Sequence, residues 1–265
     1  MNRKGAKSPR GAPSRIFEAS PAFWRAWRLG VVFLLLGLGG AGPHSGYEDA
    51  SPAVQAMQDD DTANPGMLWV QQGEALWGQG CASCHGVVGG MRGVAARYPA
   101  FDARLGRPIT LAGRVNQCRT ERMGAAAWGL ESDEMLGVTA LVGLQSRGMP
   151  VALDGEGVGR PSLERGRALF STRMGQLNLS CAQCHDGLAG SRLGGSRIPQ
   201  GQSNGYPEYR LEWQSMGSLD RRLKNCMTGV RAEPFAPDSE EMAALQYFLA
   251  WRGNGLKVET PGVRP

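Results

Sequence analysis

The sequence predicts a mainly α-helical chain in which one structural unit is written twice. Two short stretches, "CASCHG" at 81–86 and "CAQCHDG" at 181–187, share the pattern C-x-x-C-H. Around them the chain repeats itself: "GEALW" (73–77) matches "GRALF" (166–170), and "RVNQC" (114–118) matches "RLKNC" (222–226). The third observation is a pair of closing segments, "SDEMLGVTALVGLQSRGM" (132–149) and "SEEMAALQYFLAWRGNGL" (239–256). Each follows a Ser start signal with apolar residues at the 3-and-4 spacing of an amphipathic helix.

In C-x-x-C-H the two thiols are spaced to form thioethers with the vinyl groups of one porphyrin, and the adjacent histidine is delivered to the iron. A zinc knuckle or a redox dithiol needs a CxxC but has no use for the trailing histidine. Cys81, Cys84 and His85 are therefore expected to hold one haem c, and Cys181, Cys184 and His185 a second. Helix, haem motif, Gly-rich loop, a ligand candidate and a closing helix follow the order of a small cytochrome c domain. The expected fold is two tandem cytochrome c-like domains, each wrapped round one covalently attached haem c. Loops such as 190–209 are long for an empty connection, but they suit a chain wrapped round a haem that supplies the core.

Residues 1–28 are basic, and "LGVVFLLLGLGGAG" at 29–42 has the length and small-residue ending of a signal-peptide apolar region. At 14 residues it is short for a bilayer span, which disfavours the rival reading of a retained anchor. The expected organisation is a signal peptide over 1–42 and a flexible leader over 43–65, polar and acidic in composition. A first cytochrome c domain follows over 66–150, a Gly-rich linker over 151–161, a second domain over 162–257 and a tail over 258–265. Of 29 basic and 24 acidic side chains, seven and one fall within 1–42, leaving 22 against 23. The basic character thus belongs to the export segment and gives no support to nucleic-acid binding. Export and haem attachment to cysteine both point to the periplasm.

The sixth ligand of each iron is a separate question. With His85 and His185 used by the motifs and His44 at the expected cleavage site, bis-histidine ligation is nearly excluded. Met149, in "GMP", follows its closing helix and has Leu256 as its repeat partner; Met123, Met216 and Met227 are candidates by position. Two cysteines are left over, Cys118 and Cys226, at equivalent places before the closing segments. Thiolate ligation of each iron is the favoured reading, and a Cys118–Cys226 disulfide is its rival. A thiolate donates charge to iron and lowers its potential, which suits neither an ordinary high-potential carrier nor a peroxidase.

"GSLDRRLKNCMTGVRAEPF" at 217–235, with "CAQCHDG" ahead of it and "EMAALQYFLAWRGNGL" behind it, resembles the SoxA family, the cytochrome subunits of the SoxAX thiosulfate-oxidising complex. The resemblance spans about residues 66–257, and both haem motifs are those of the family's dihaem form. It implies an L-cysteine S-thiosulfotransferase. In that reading Cys226 is a haem ligand carrying a persulfide, and thiosulfate is joined oxidatively to a cysteine of the carrier protein SoxYZ. Electrons leave through haem to the partner cytochrome SoxX. The same resemblance makes Arg222 the residue that holds the anionic substrate and Cys118 the ligand of the first haem.

The residues point the same way without the resemblance. Between 186 and 231 stand seven basic side chains against four acidic ones, a setting that welcomes an anion. Arg222 is four residues before Cys226, so on a helix the two share a face, and a planar guanidinium suits the oxygens of a sulfonate. The bland alternatives are a solvated surface charge or a salt bridge to a haem propionate. Arg114 stands at the same offset from Cys118, so the pair is in part a feature of the repeat. The competing function is a dihaem electron carrier without sulfur chemistry, which needs no positive pocket around its distal ligand. The mature protein is expected to begin near Ala41 and to carry the mass of two haems; intact-mass spectrometry with N-terminal sequencing checks both, and recovery of residue 1 from membranes contradicts the first.

Overall fold

Ser and Thr residues set the starts of most helices. In the computed structural model, which describes residues 42–265, the Ser51 side chain caps helix α1 (Pro52–Asp59) by accepting from the Val54 N–H. Helix α2 (Met67–Leu76) runs through one π-turn (Trp77–Cys81) directly into the short α3 (Ala82–His85), so the first C-x-x-C-H motif is the continuation of a helix. A hairpin of β1 (Ala100–Asp102) and β2 (Arg107–Ile109) leads to α4 (Leu111–Arg122), capped by Thr110. Helix α5 (Asp133–Leu144) is capped by Ser132 and closes the first unit.

The second unit repeats the plan. Helix α6 (Arg160–Ser171) precedes α7 (Cys181–His185), whose start is fixed by a capping box of Ser180 and Gln183. The small hairpin β3 (Arg192–Leu193) and β4 (Ser196–Arg197) follows, then β5 (Glu208–Arg210) and β6 (Ser215–Gly217). Helix α8 (Leu219–Gly229) is capped by Ser218 and α9 (Glu240–Arg252) by Ser239, and the chain ends in β7 (Gly262–Arg264). A cap of this kind contributes about 1 kcal/mol, which matters for helices of three turns.

In each unit the first and last helices cross at backbone contact. A Cβ on Gly73 of α2 would run into the Gly137 carbonyl of α5, and one on Gly137 would stand 2.9 Å from the Trp69 carbonyl oxygen. The second crossing is of the same kind, with Gly166 of α6 against the Ala244 carbonyl of α9. Gly73 and Gly166 are the glycines of "GEALW" and "GRALF". Around the first crossing Val70, Leu136, Ala140 and Leu141 are buried; around the second, Leu163, Phe170, Met242, Leu245 and Phe248.

The two units are interlocked. Pro43–Pro265 is one compact body. Met216 on β6 is buried in the core of the first unit beside Leu136 and Ala140, while Ala96 from the first unit lies in the core of the second. Strand β2 packs on α9, and the rings of Trp69 on α2 and Tyr209 on β5 stand 6.0 Å apart. The segments that follow the two closing helices pair with each other through Pro150 and Lys257, with Val151 N–H donating to the Leu256 carbonyl.

Three expectations about boundaries are corrected. Residues 43–65 hold α1, with Val54 and Gln58 buried, and are not a flexible leader. Residues 258–265 are not a free tail: β7 pairs in parallel with β5, and Val263 is fully buried. The stretch 151–161 buries Val151 and Leu153 against the second unit and is a packed connection, not a loose linker. The physical reason is long-range hydrogen bonding. The Gln58 side chain accepts from Val263 N–H at 2.9 Å and the Asn64 amide donates to the Pro261 carbonyl at 3.0 Å, so residues that look solvated locally close a sheet about 200 positions away. The signal peptide expected over 1–42 lies, but for Gly42, outside the described residues. Among the described residues no helix is long and apolar enough to cross a membrane.

Gly166→Ala is expected to destabilise by about 2 to 3 kcal/mol through overpacking at the crossing. Gly129→Ala, whose Cβ meets only Ser132 at 3.9 Å, is the control; urea denaturation midpoints of the two variants measure the difference.

Candidate functional site

The two motif histidines are placed by equivalent aromatic residues. Trp77 ends "GEALW" and its ring lies 5.8 Å from that of His85; Phe170 ends "GRALF" and lies 6.5 Å from His185. His185 Nδ1 donates to the Pro199 carbonyl at 2.8 Å, which fixes the ring and leaves Nε2 as the free coordinating nitrogen. Gly201 sits against the same imidazole, where a Cβ would stand 3.1 Å from the ring. Burial lowers the pKa of His185, and the guanidinium groups of Arg222 and Arg252 add to that, so the ring is held in the neutral form that binds metals. No side-chain hydrogen bond holds His85 among the described residues, and that histidine is exposed.

Each leftover cysteine stands with the motif of its own unit. Cys118 lies on α4 and Cys226 on α8, the equivalent helices. Burial pushes the Cys181 thiol up to about 11 with Cys226 as the next cause, and Cys81 is raised by burial and then by Cys118. All six cysteines are unpaired, so the Cys118–Cys226 disulfide is not formed. Of the methionines weighed as ligands, Met216 is committed to the first unit's core and Met227 to the second's, while the Met123 methyl lies over Gly80 and that of Met149 over Gly93. His44 has its Nε2 3.3 Å from Asp49.

Arg222 and Cys226 are one turn apart on α8, as their spacing requires, and Arg114 and Cys118 are likewise on α4. The two arginines differ in what holds them. Arg114 pairs with Asp102 at 2.8 Å, and Asp102 is buried and kept below the usual carboxylate range by the Leu105 and Arg104 backbone N–H groups and by Arg114 itself. Arg222 instead meets Glu212 at 3.2 Å, on the same oxygen that already accepts from Arg210 Nε at 2.8 Å. Arg192, Arg197, Arg221, Lys224 and Arg231 have no ion-pair partner among the described residues.

Asp102 was missed in the sequence, and Arg210 and Glu212 entered only in the charge count of 186–231, although a signal for their equivalence was there. "YPAFD" at 98–102 and "YPEYR" at 206–210 are offset by the same 108 positions as Arg114 and Arg222. The hairpin registers agree, with Ala100 opposite Ile109 and Glu208 opposite Gly217. Asp102 and Arg210 are thus the same position with opposite charge.

Crossing helices, a C-x-x-C-H helix and a facing helix, all present twice, define a tandem c-type cytochrome fold. The chain belongs to the SoxA/TsdA, cytochrome c domain family, whose model matches residues 66–151 and 165–258. Over 228 residues it is 40% identical to the "L-cysteine S-thiosulfotransferase subunit SoxA" of Rhodovulum sulfidophilum, covering 83% of this chain and 79% of that one. The protein of the same name from Paracoccus pantotrophus is 39% identical over 228 residues, with the same coverage of both chains. A solved structure described as "Crystal structure of SoxXA from P. pantotrophus" superposes with a TM-score of 0.81 at 38% identity, covering 84% of this chain and 87% of that one. A cytochrome c domain implies haem c, and the residues fit it: free motif thiols, a His185 ring oriented from behind by Pro199, and a cysteine facing each motif.

At the start of α8, Asp220 is buried with Oδ2 accepting from Gln246 at 2.9 Å and Oδ1 without a partner. Burial raises its pKa; Glu131 and Asp238 push the same way, and the Gln246 hydrogen bond and Lys224 oppose them. A carboxyl whose folded pKa is raised contributes stability below its unfolded pKa, and that contribution is lost as pH rises through the folded value. Asp220→Asn is therefore expected to flatten the fall in stability as pH rises above the ordinary carboxylate range, as read from denaturation midpoints at a series of pH values.

Proposed function

We propose that this chain is the thiosulfate-handling subunit of an L-cysteine S-thiosulfotransferase, joining thiosulfate to a cysteine of the carrier SoxYZ and working as a heterodimer with the cytochrome SoxX in the periplasm. In the reaction a sulfur–sulfur bond forms between thiosulfate and the carrier cysteine, the thiol proton is released, and two electrons are withdrawn. Cys81, Cys84 and His85 would hold one haem c and Cys181, Cys184 and His185 a second, and haem at the second motif would supply the redox chemistry that the loss of two electrons to the partner cytochrome requires.

The observation that carries this reading is the placement of Cys226 near Cys181, one helical turn from Arg222, on the unit where Arg210 stands in place of the acid that pairs with Arg114 in the other. Cys226 would hold the second haem iron together with His185 and would carry the extra sulfur of a persulfide. Arg222 orients the sulfonate oxygens of thiosulfate with its planar fork. Cys118 is the corresponding partner of His85 in the first unit, where Asp102 neutralises Arg114 and no anion is drawn in. A pure electron carrier has no use for this difference between the two units.

Cys226→Met is expected to keep a low-spin second haem and to abolish thiosulfate-dependent electron release in the presence of the carrier; full activity in that variant would replace this reading with the electron carrier. Arg222→Ala is expected to lower activity by about one to two powers of ten, the worth of a charge-assisted contact of roughly 1.5 to 3 kcal/mol. Arg114→Ala is expected to leave turnover nearly unchanged. Steady-state oxidation assays on the complex measure all three.

A further inference from the structure

The repeat supplies an internal comparison for Arg222. In the first unit Arg114 is locked: Asp102 is only 7% exposed on its side chain, is fixed by two backbone N–H groups, and meets the guanidinium at 2.8 Å. In the second unit the equivalent position is Arg210, so no acid stands there. Arg222 reaches Glu212, whose side chain is 47% exposed and lies in the turn after β5. The contact is the longer of two on one oxygen, 3.2 Å against 2.8 Å from Arg210. Arg210 is itself clamped, with Glu208 at 3.0 Å on its other side and the Trp213 ring 5.3 Å from its guanidinium carbon.

We infer that Glu212 is a built-in stand-in for the substrate, occupying the anion seat of Arg222 until thiosulfate displaces it, and that Arg210 is the positioning residue that holds Glu212 while this exchange takes place. The inference rests on Arg222 as the anion-binding residue proposed above. Exchange is easy here because the exposed carboxylate keeps its shorter bond to Arg210 when the longer one to Arg222 opens, so no charge is left unpaired. In the first unit the same exchange would leave the buried Asp102 carboxylate without its counter-charge, held by backbone N–H groups alone, which is costly. The Asp102-to-Arg210 difference thereby decides which of two equivalent arginines accepts an anion. It also excludes weakly charged ligands, since an incoming group has to outcompete a carboxylate.

The test uses the haem-loaded complex with SoxX and titrates thiosulfate calorimetrically without the carrier, alongside steady-state oxidation with it. Glu212→Gln is expected to tighten thiosulfate binding and lower KM by about two- to fivefold, the worth of one exposed ion pair, with kcat unchanged. A damaged fold weakens binding, so tightening separates this role from a structural one. Unchanged or weaker binding in Glu212→Gln, with Arg222→Ala still weakened, overturns the inference alone. Unchanged binding in Arg222→Ala overturns the assignment of Arg222 beneath it.

Discussion

The backbone contact between the first and last helix of each unit is the constraint on which the rest depends. Gly73 meets Gly137 and Gly166 meets Ala244 with no room for a side chain between them. A crossing this close fixes both the separation and the angle of the helices, because side-chain ridges cannot re-seat when the contact is backbone on backbone. Four residues after each glycine comes the aromatic residue, Trp77 or Phe170, that faces the motif histidine. The motif cysteines follow, by way of a π-turn in the first unit and a capping box in the second. Displacing the crossing would carry the whole motif away from the helix that bears Cys118 or Cys226.

Interlocking of the two units follows from how little each can bury alone. Strand β6 lends Met216 to the first core, β2 covers α9, and the segments after α5 and α9 join through Pro150 and Lys257. Helix α1 and strand β7 pack on each other in the same arrangement. A body built in this way holds the two hairpins rigidly, and the hairpins decide what each arginine beside a leftover cysteine can reach. Duplication supplied two equivalent sites, and a charge reversal at one hairpin position, Asp102 against Arg210, made them chemically different.

Much of this was legible from residues alone. C-x-x-C-H has few other uses, so the motif cysteines and histidines announce haem by their chemistry, and the Ser and Thr caps mark the helix starts by local hydrogen bonding. That Cys118 stands near Cys81, and Cys226 near Cys181, with no disulfide between the two leftover cysteines, follows from the fold and not from their spacing. The pairing of Glu212 with Arg222 was not legible at all, because an ion pair across ten residues and a strand turn depends on where the backbone bends.

By itself the sequence determined the doubled unit, the two C-x-x-C-H sites, the helical closing segments and the one-turn spacing of Arg222 from Cys226, since each rests on contacts within a few residues. Only the tertiary structure decided that 43–65 and 258–265 are parts of the folded body, that the units exchange core residues, and that Arg114 is locked where Arg222 is not. Those outcomes depend on hydrogen bonds and ion pairs such as Gln58 to Val263 and Arg114 to Asp102. Their partners are brought together by the path of the whole chain, which no local pattern of residues encodes.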